Sequence, residues 1–154
     1  MTTKTIDDTI KSIHKMAIST KTVVNLMYTS RIIEEVITGM LKPFDLTMQQ
    51  YNVLRILRGQ KGNPANLSTI QERMIDRSSN TTRLVDKLIQ KGWVKRQVCE
   101  NNRRKVEIFI TSEGLDILKV LDPVTEQNNK QMLRNLSEDQ LETLNHLLDT
   151  LRTT

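Results

Sequence analysis

Leu67-Ser68-Thr69-Ile70-Gln71-Glu72-Arg73-Met74-Ile75-Asp76-Arg77-Ser78-Ser79-Asn80-Thr81-Thr82-Arg83-Leu84-Val85-Asp86-Lys87-Leu88-Ile89-Gln90-Lys91-Gly92-Trp93-Val94-Lys95-Arg96-Gln97-Val98-Cys99-Glu100-Asn101-Asn102-Arg103-Arg104-Lys105-Val106-Glu107-Ile108-Phe109-Ile110-Thr111 is the most informative run in the chain. It reads as two short helices, a glycine stop, and two strands joined by a basic loop. Ser68 with Gln71 has the form of a capping box and opens a helix reaching about residue 75. Asp76-Arg77-Ser78 is the turn, and a second helix covers roughly residues 79–91. Gly92 stands where a helix needs a left-handed closing residue. Val94-Lys95-Arg96-Gln97-Val98 and Val106-Glu107-Ile108-Phe109-Ile110 alternate and are β-branched, which predicts a hairpin. That order describes a helix-turn-helix followed by a β-wing, a shape suited to duplex DNA. The charge agrees: positions 73–105 hold ten basic and three acidic residues, net +7, in a chain whose total is +5. The remainder sums to −2, so the positive excess is local, as a footprint for phosphates should be.

Outward from this run, the composition narrows the classes. A chain of 154 residues is long enough for one domain with a real core and short for two. Cys99 is the single cysteine, so no intrachain disulfide can form, which favours a reducing compartment. No apolar run approaches the roughly 20 residues of a membrane span. The start, Met-Thr-Thr-Lys-Thr-Ile-Asp-Asp, places acidic residues where a signal peptide needs an apolar stretch, so a cytoplasmic protein is expected. There is no Gly-rich phosphate loop, no nucleophile elbow and no supported Ser-His-Asp ordering. His14 and His146 lie far apart without ligand spacing around them. Neither an enzyme, a metal site nor a cofactor is expected.

Upstream, Ile6, Ile10, Ile13 and Ala17 recur at helical spacing and predict a short amphipathic helix. A longer apolar pattern runs from Val23 and Val24 through Met27, Ile33, Val36, Ile37 and Met40 to Leu41. It halts at Pro43, because the residue before proline is pushed out of helical geometry. Thr47 with Gln50 is a capping box, Leu46 can staple against Tyr51, and the helix so opened carries Tyr51, Leu54 and Leu57 inward. It ends around residues 59–62. Downstream, Thr111 or Ser112 caps another helix, which should bend or break near Asp122-Pro123. Leu136-Ser137-Glu138-Asp139-Gln140-Leu141 combines box and staple ahead of a last helix, with Leu141, Leu144, Leu148 and Leu151 spaced three or four apart. This leucine seam and the isoleucine face of residues 6–13 flank the basic module. They can bury internally or against a second copy. A helix of about fifteen residues is marginal alone and needs such a surface.

The second helix of the basic run carries the chemistry. Leu84, Val85, Leu88 and Ile89 form an apolar stripe for the core, while Asn80, Arg83 and Lys87 stand on a different face. Asn can pair with adenine at two points, and Arg can pair with guanine or clamp a phosphate. The helix N-terminus suits a backbone phosphate, and Ser78 and Ser79 are small enough for a close approach. Asp86, one turn from Arg83, can orient its guanidinium. A merely solvated face is the bland alternative. The capped helix and tight turn before it, and the basic hairpin after it, argue against that.

At this point the chain resembles the MarR family of winged-helix transcription regulators. The resemblance rests on Asp45-Leu46-Thr47, Gln50-Tyr51 and Leu54, then Leu67-Ser68, then Ser79 and Thr82-Arg83-Leu84-Val85-Asp86-Lys87-Leu88. Lys91-Gly92-Trp93-Val94-Lys95-Arg96, Asn102-Arg103-Arg104 and Ile110-Thr111-Ser112-Glu113-Gly114 complete it. It implies a mainly α fold with a small β-hairpin wing, read as one domain over residues 1–154. A winged helix-turn-helix lobe spans 46–111, and N- and C-terminal dimerisation helices span 4–42 and 112–152. It further implies a homodimer, with the helix carrying Ser79, Asn80 and Arg83 in the major groove and Arg103 or Arg104 reaching the minor groove. The expected DNA-binding set is Ser68, Ser78, Ser79, Asn80, Thr82, Arg83, Lys87, Arg103 and Arg104. The expected function is a sequence-specific regulator, most often a repressor, on an inverted-repeat operator, with half-sites one helical turn apart. A small phenolic or lipophilic anionic effector is implied where the dimer helices meet the lobes, without named ligand residues. The chain departs from the family at Asn102, where an Asp usually precedes the Arg pair and braces a wing arginine. Some members sense peroxides through a cysteine in the first helix. This chain has none there, and Cys99 reads as a small apolar strand residue. A winged-helix module docking an acidic protein partner is the rival reading, and the charge spread over both helix and wing favours a duplex.

Overall fold

The computed structural model of the chain describes residues 2–154. The elements run α1 (Ile6–Thr9), α2 (Ile18–Leu41), a 3₁₀ turn (Lys42–Phe44), α3 (Met48–Gly59), α4 (Leu67–Arg73), α5 (Thr81–Gln90), β1 (Val94–Cys99), β2 (Asn102–Ile110), α6 (Ser112–Leu133) and α7 (Glu138–Leu151). The fold is thus mainly helical with a two-stranded antiparallel wing, as the periodicities predict.

The amphipathic pattern at the start yields only one turn of helix. Thr5 and Asp8 close a capping box around α1, and the chain then leaves helical geometry at Lys11, φ 55°. The amides of Lys11 and Ser12 bond back to the carbonyls of Asp8 and Asp7, a Schellman closure with lysine where glycine is usual. Ile6 is buried, while Ile13 beyond the stop is 89% exposed. Helix α2 ends where Pro43 opens the 3₁₀ turn, and Asp45 adopts left-handed geometry, φ 53°. Lys91, at the end of α5, ties down this junction by donating to the Asp45 carbonyl and, at 3.2 Å, to its carboxylate.

Thr47 and Gln50 form the predicted box on α3, with bonds of 3.1 and 3.2 Å, and Leu46 and Tyr51 are both buried. Helix α4 departs from expectation. Asn66, not Ser68, is its N-cap, accepting from the Thr69 amide at 2.7 Å, and Ser68 lies exposed within the first turn. Helix α5 likewise starts two residues late, at Thr81, because Asn80 is its cap. Gly92 takes the left-handed conformation that closes it, φ 76°.

The wing pairs Val94 with Ile110, Arg96 with Ile108 and Val98 with Val106, with an irregularity between Val98 and Cys99. Ala65 bridges Ile108 through bonds of 2.9 and 2.8 Å, so the hairpin is stitched to the loop before α4. The Thr111 hydroxyl caps α6 at the Gly114 amide and donates to the Gly92 carbonyl, joining the base of the wing to the next helix. At Gly114 any side chain would strike the Trp93 carbonyl oxygen and, at 2.7 Å, Ile110 Cγ1.

Helix α6 neither stops nor breaks at Pro123; it continues to Leu133. Leu121 packs before the proline and Val124 after it. Asp122 is gripped by Arg58 of α3 at 2.8 and 3.0 Å, and the Tyr51 and Thr125 hydroxyls meet at 2.9 Å. The Asp122 carboxylate raises the Arg58 pKa further above its usual range. Tertiary packing here outweighs the roughly 3 kcal/mol that proline costs inside a helix.

The core joins the lobe to the end of α2 and the first half of α6. Leu41, Val53, Leu54, Leu57, Ile70, Val85, Leu88, Ile108, Leu118 and Leu121 are fully buried. Helix α7 has the predicted Ser137–Gln140 box, yet none of its residues is buried. Leu147 and Leu151 are more than half exposed, as are Ile18, Val23 and Met27 of α2.

Candidate nucleic-acid interface

The turn ahead of α5 is built by side chains from three elements, several of them far from the turn in sequence. The Asp76 carboxylate accepts the Ser78 hydroxyl at 2.6 Å, the Ser78 amide at 3.0 Å and the Gln49 amide group at 3.3 Å. Those donors, the Ser78 hydroxyl first and Gln49 next, lower its pKa below the usual aspartate value. Asn52 of α3 accepts the Ile75 amide at 2.8 Å. Gln71 of α4 bonds the hydroxyl of buried Thr81 and donates to the Arg77 carbonyl at 3.1 Å. Helices α3 and α4 thereby aim the start of α5.

This geometry divides the expected contact residues. Thr82, Arg83 and Lys87 are exposed, and among the described residues neither Arg83 nor Lys87 has an ion-pair partner. Asn80 is exposed, but its side-chain oxygen accepts the Arg83 amide at 3.1 Å. In that conformer the oxygen is shared with the cap, so two-point pairing with adenine would draw on its second lone pair or displace the cap. Ser78 is exposed with its hydroxyl engaged by Asp76. The Ser79 hydroxyl oxygen is enclosed and has no hydrogen-bond partner within the described residues. Ser68 is exposed on α4, apart from this turn. Asn80, Arg83, Lys87, Ser78 and Ser79 line one shallow depression with Thr47, Gln49 and Asp76.

Asp86 does not orient Arg83. It pairs with Arg96 of β1 at 3.2 Å, because the first wing strand passes beside this side of α5. Arg103 and Arg104 are exposed at the start of β2 rather than in a loop, since the hairpin closes tightly around Glu100 and Asn101. The Asn102 side-chain oxygen accepts the Arg104 backbone amide at 3.1 Å. Asn102 thus braces the backbone of the wing, and neither arginine has an ion-pair partner among the described residues. Cys99 is half-buried at the strand irregularity.

Comparison with known proteins agrees with this geometry. A profile of the MarR family matches residues 46–106, the α3-to-wing segment. The chain is 30% identical over 122 residues to the HTH-type transcriptional regulator PecS of Dickeya dadantii (strain 3937), covering 77% of this chain and 72% of PecS. A mutant MarR of Escherichia coli complexed with operator DNA has a similar fold, TM-score 0.72 at 24% identity, over 83% of this chain and 91% of that one. Bordetella bronchiseptica BpsR, described with regulation of its DNA binding by 6-hydroxynicotinic acid, superposes with TM-score 0.78 at 18% identity, covering 92% and 99%. With a helix-turn-helix, a wing and this likeness along most of its length, the chain belongs to the MarR family of winged-helix transcriptional regulators.

Proposed function

We propose that the chain acts in the cytoplasm as a homodimer that binds an inverted-repeat operator and represses transcription. The observation carrying this reading is a row of cations without ion-pair partners among the described residues: Arg83 and Lys87 on the outer side of α5, and Arg103 and Arg104 on the wing that Asp86 and Arg96 hold beside it. In it, α5 enters the major groove, with Thr82, Arg83, Lys87 and one hydrogen-bonding edge of Asn80 facing the bases. Arg103 and Arg104 reach the neighbouring minor groove, while Ser68 and Ser78 face the backbone. Ser79 serves as a small residue at the helix entrance rather than as a donor.

The exposed apolar faces of α2 and α7 support pairing of two copies, since a helix with no buried residue of its own has little reason to hold its place. Sedimentation at micromolar concentration tests this; a monomer would refute it. Neutralisation of about 6–10 phosphates per dimer should weaken duplex binding by about 10³- to 10⁵-fold between roughly 50 and 200 mM salt. A flat salt response, with saturable binding to an acidic protein instead, would favour the interaction-module reading.

An effector of the amphipathic-anion class fits a cavity of about 500 Å³ between α3 and the outer half of α6. Arg55 and Arg134 line it without carboxylate partners among the described residues, together with Leu133, Leu136 and Leu141, while the carboxylates in its wall, Asp122 and Glu126, are paired with Arg58 and Lys130. Such a ligand changes DNA affinity only by favouring one lobe separation over another. Titration with 6-hydroxynicotinic acid, followed by thermal midpoint and operator affinity, tests the class.

A further inference from the structure

Helix α6 has two unlike halves. Its buried residues, Gly114, Leu118 and Leu121, all precede Pro123, and the two leucines belong to the hydrophobic core that the helix shares with the winged lobe. Beyond Pro123 no residue of the helix is buried. Val124 still packs, partly buried, against that core, so the passage from the part fixed in the lobe to the part that leaves it is centred on Pro123 and the residues beside it. Pro123 has no amide to donate to the Lys119 carbonyl, and its ring crowds that carbonyl, so the helix is weakest at this position.

Two side-chain links from α3 straddle this weak point. Arg58 grips Asp122, the residue before the proline, through two bonds of 2.8 and 3.0 Å. Tyr51 holds Thr125, two residues after it, at 2.9 Å. The same α3 helix fixes the turn ahead of α5 through Gln49 to Asp76 and Asn52 to the Ile75 amide. One rigid helix thus holds both sides of the joint and the entrance to the recognition helix.

We propose that Arg58, Asp122, Tyr51 and Thr125 splint a joint at Pro123, and that these four positioning residues set the separation of the two recognition helices in the dimer. The inference rests on the dimeric DNA-binding reading above. None of the four needs to touch DNA. Their effect is on the distance between half-sites that the protein accepts, which for paired recognition helices is about one helical turn, roughly 34–36 Å.

The test uses the full-length protein and short duplexes that the wild type selects from a randomised pool. Each is remade with one base pair added or removed between the half-sites. The wild type should show a narrow spacing optimum. Arg58→Gln should lose about three- to tenfold in affinity at the optimum, of the order found for residues that couple distant parts of a protein. It should lose little at the altered spacings, so the profile broadens. Tyr51→Phe, which removes a single oxygen and keeps the buried ring, should broaden it in the same sense should Arg58→Gln fold poorly. Pro123→Ala removes the joint, so in the Arg58→Gln background it should narrow the profile again. An unchanged profile in both single variants, or an equal loss at every spacing, overturns the splint. Arg83→Ala separates the two levels of the argument: it should lose affinity by one factor at all spacings. A wild type indifferent to spacing overturns the paired-half-site reading, and the splint with it.

Discussion

Asp86 of α5 holds Arg96 of the first wing strand at 3.2 Å, so the two surfaces proposed to meet DNA are fastened to one another. Both side chains are nearly half exposed, and an exposed pair of this kind contributes at most about 1 kcal/mol. Asp86→Ala should therefore leave the thermal midpoint nearly unchanged. Its effect should be dynamic: faster amide exchange across residues 95–106, measured by mass spectrometry, with the rest of the lobe unaffected. Unchanged exchange in the hairpin would mean that the Ala65–Ile108 bridge alone steadies the wing.

Arg83 and Asn80 should separate stability from recognition. Arg83 is exposed and unpaired among the described residues, so Arg83→Ala should alter stability by less than about 0.5 kcal/mol. If it reads a base, the variant should lose on the order of 1–3 kcal/mol of operator binding and relax the preference at one position. Asn80→Ala removes a helix cap and should lower stability by about 1 kcal/mol. Asn80→Ser keeps a capping oxygen and should restore most of that. Denaturant midpoints and titrations of the same preparations decide both.

The corrected start of α4 has a direct check. Asn66→Ala should cost about 1 kcal/mol, because the Thr69 amide loses its acceptor. Ser68→Ala, inside an exposed first turn, should change stability by less than about 0.5 kcal/mol. The reverse ranking in urea unfolding would restore the box of Ser68 with Gln71.

Asp76 gives the helix-turn-helix a dependence on acid. Hydrogen bonds from the Ser78 hydroxyl, Gln49 and the Ser78 amide depress its folded pKa. A depressed carboxylate stabilises the fold fully above its unfolded pKa of about 3.9 and loses that contribution as pH falls through the folded value. The gap in thermal midpoint between wild type and Asp76→Asn should hence be constant from about pH 7 to 5 and close below about pH 4. A gap that persists at the lowest pH would assign the effect to packing rather than charge.

What could be read from the chain, and what could not, follows from the range of the interactions. Thr47 with Gln50, Ser137 with Gln140, and Gly92 are local devices whose partners sit within a few residues, and the fold uses each as its pattern suggests. Where two local devices competed, the pattern misled. Ser68 with Gln71 resembles a box, but Asn66 stands in extended geometry two residues earlier and takes the amide, leaving Gln71 to brace Thr81. The amphipathic spacing through Ile13 was cut by the left-handed Lys11. Asp86 was matched to Arg83 by helical spacing, whereas its partner, Arg96, comes from a strand ten residues on. The continuity of α6 through Pro123 depends on Arg58, 64 positions from Asp122, a relationship no local pattern encodes. On α5, the division between side chains free to face outward and those occupied in bracing depends on partners in other elements, which no local spacing encodes.

The bare apolar flanks of α2 and α7 have a genetic consequence if they pair as proposed. A copy that lacks Arg83 but keeps both flanks would still be accepted by its normal sibling. The resulting mixed pair would grip one arm of the operator and let go of the other. Such an allele would behave as dominant, and removing the flanking leucines from the same gene would make it recessive.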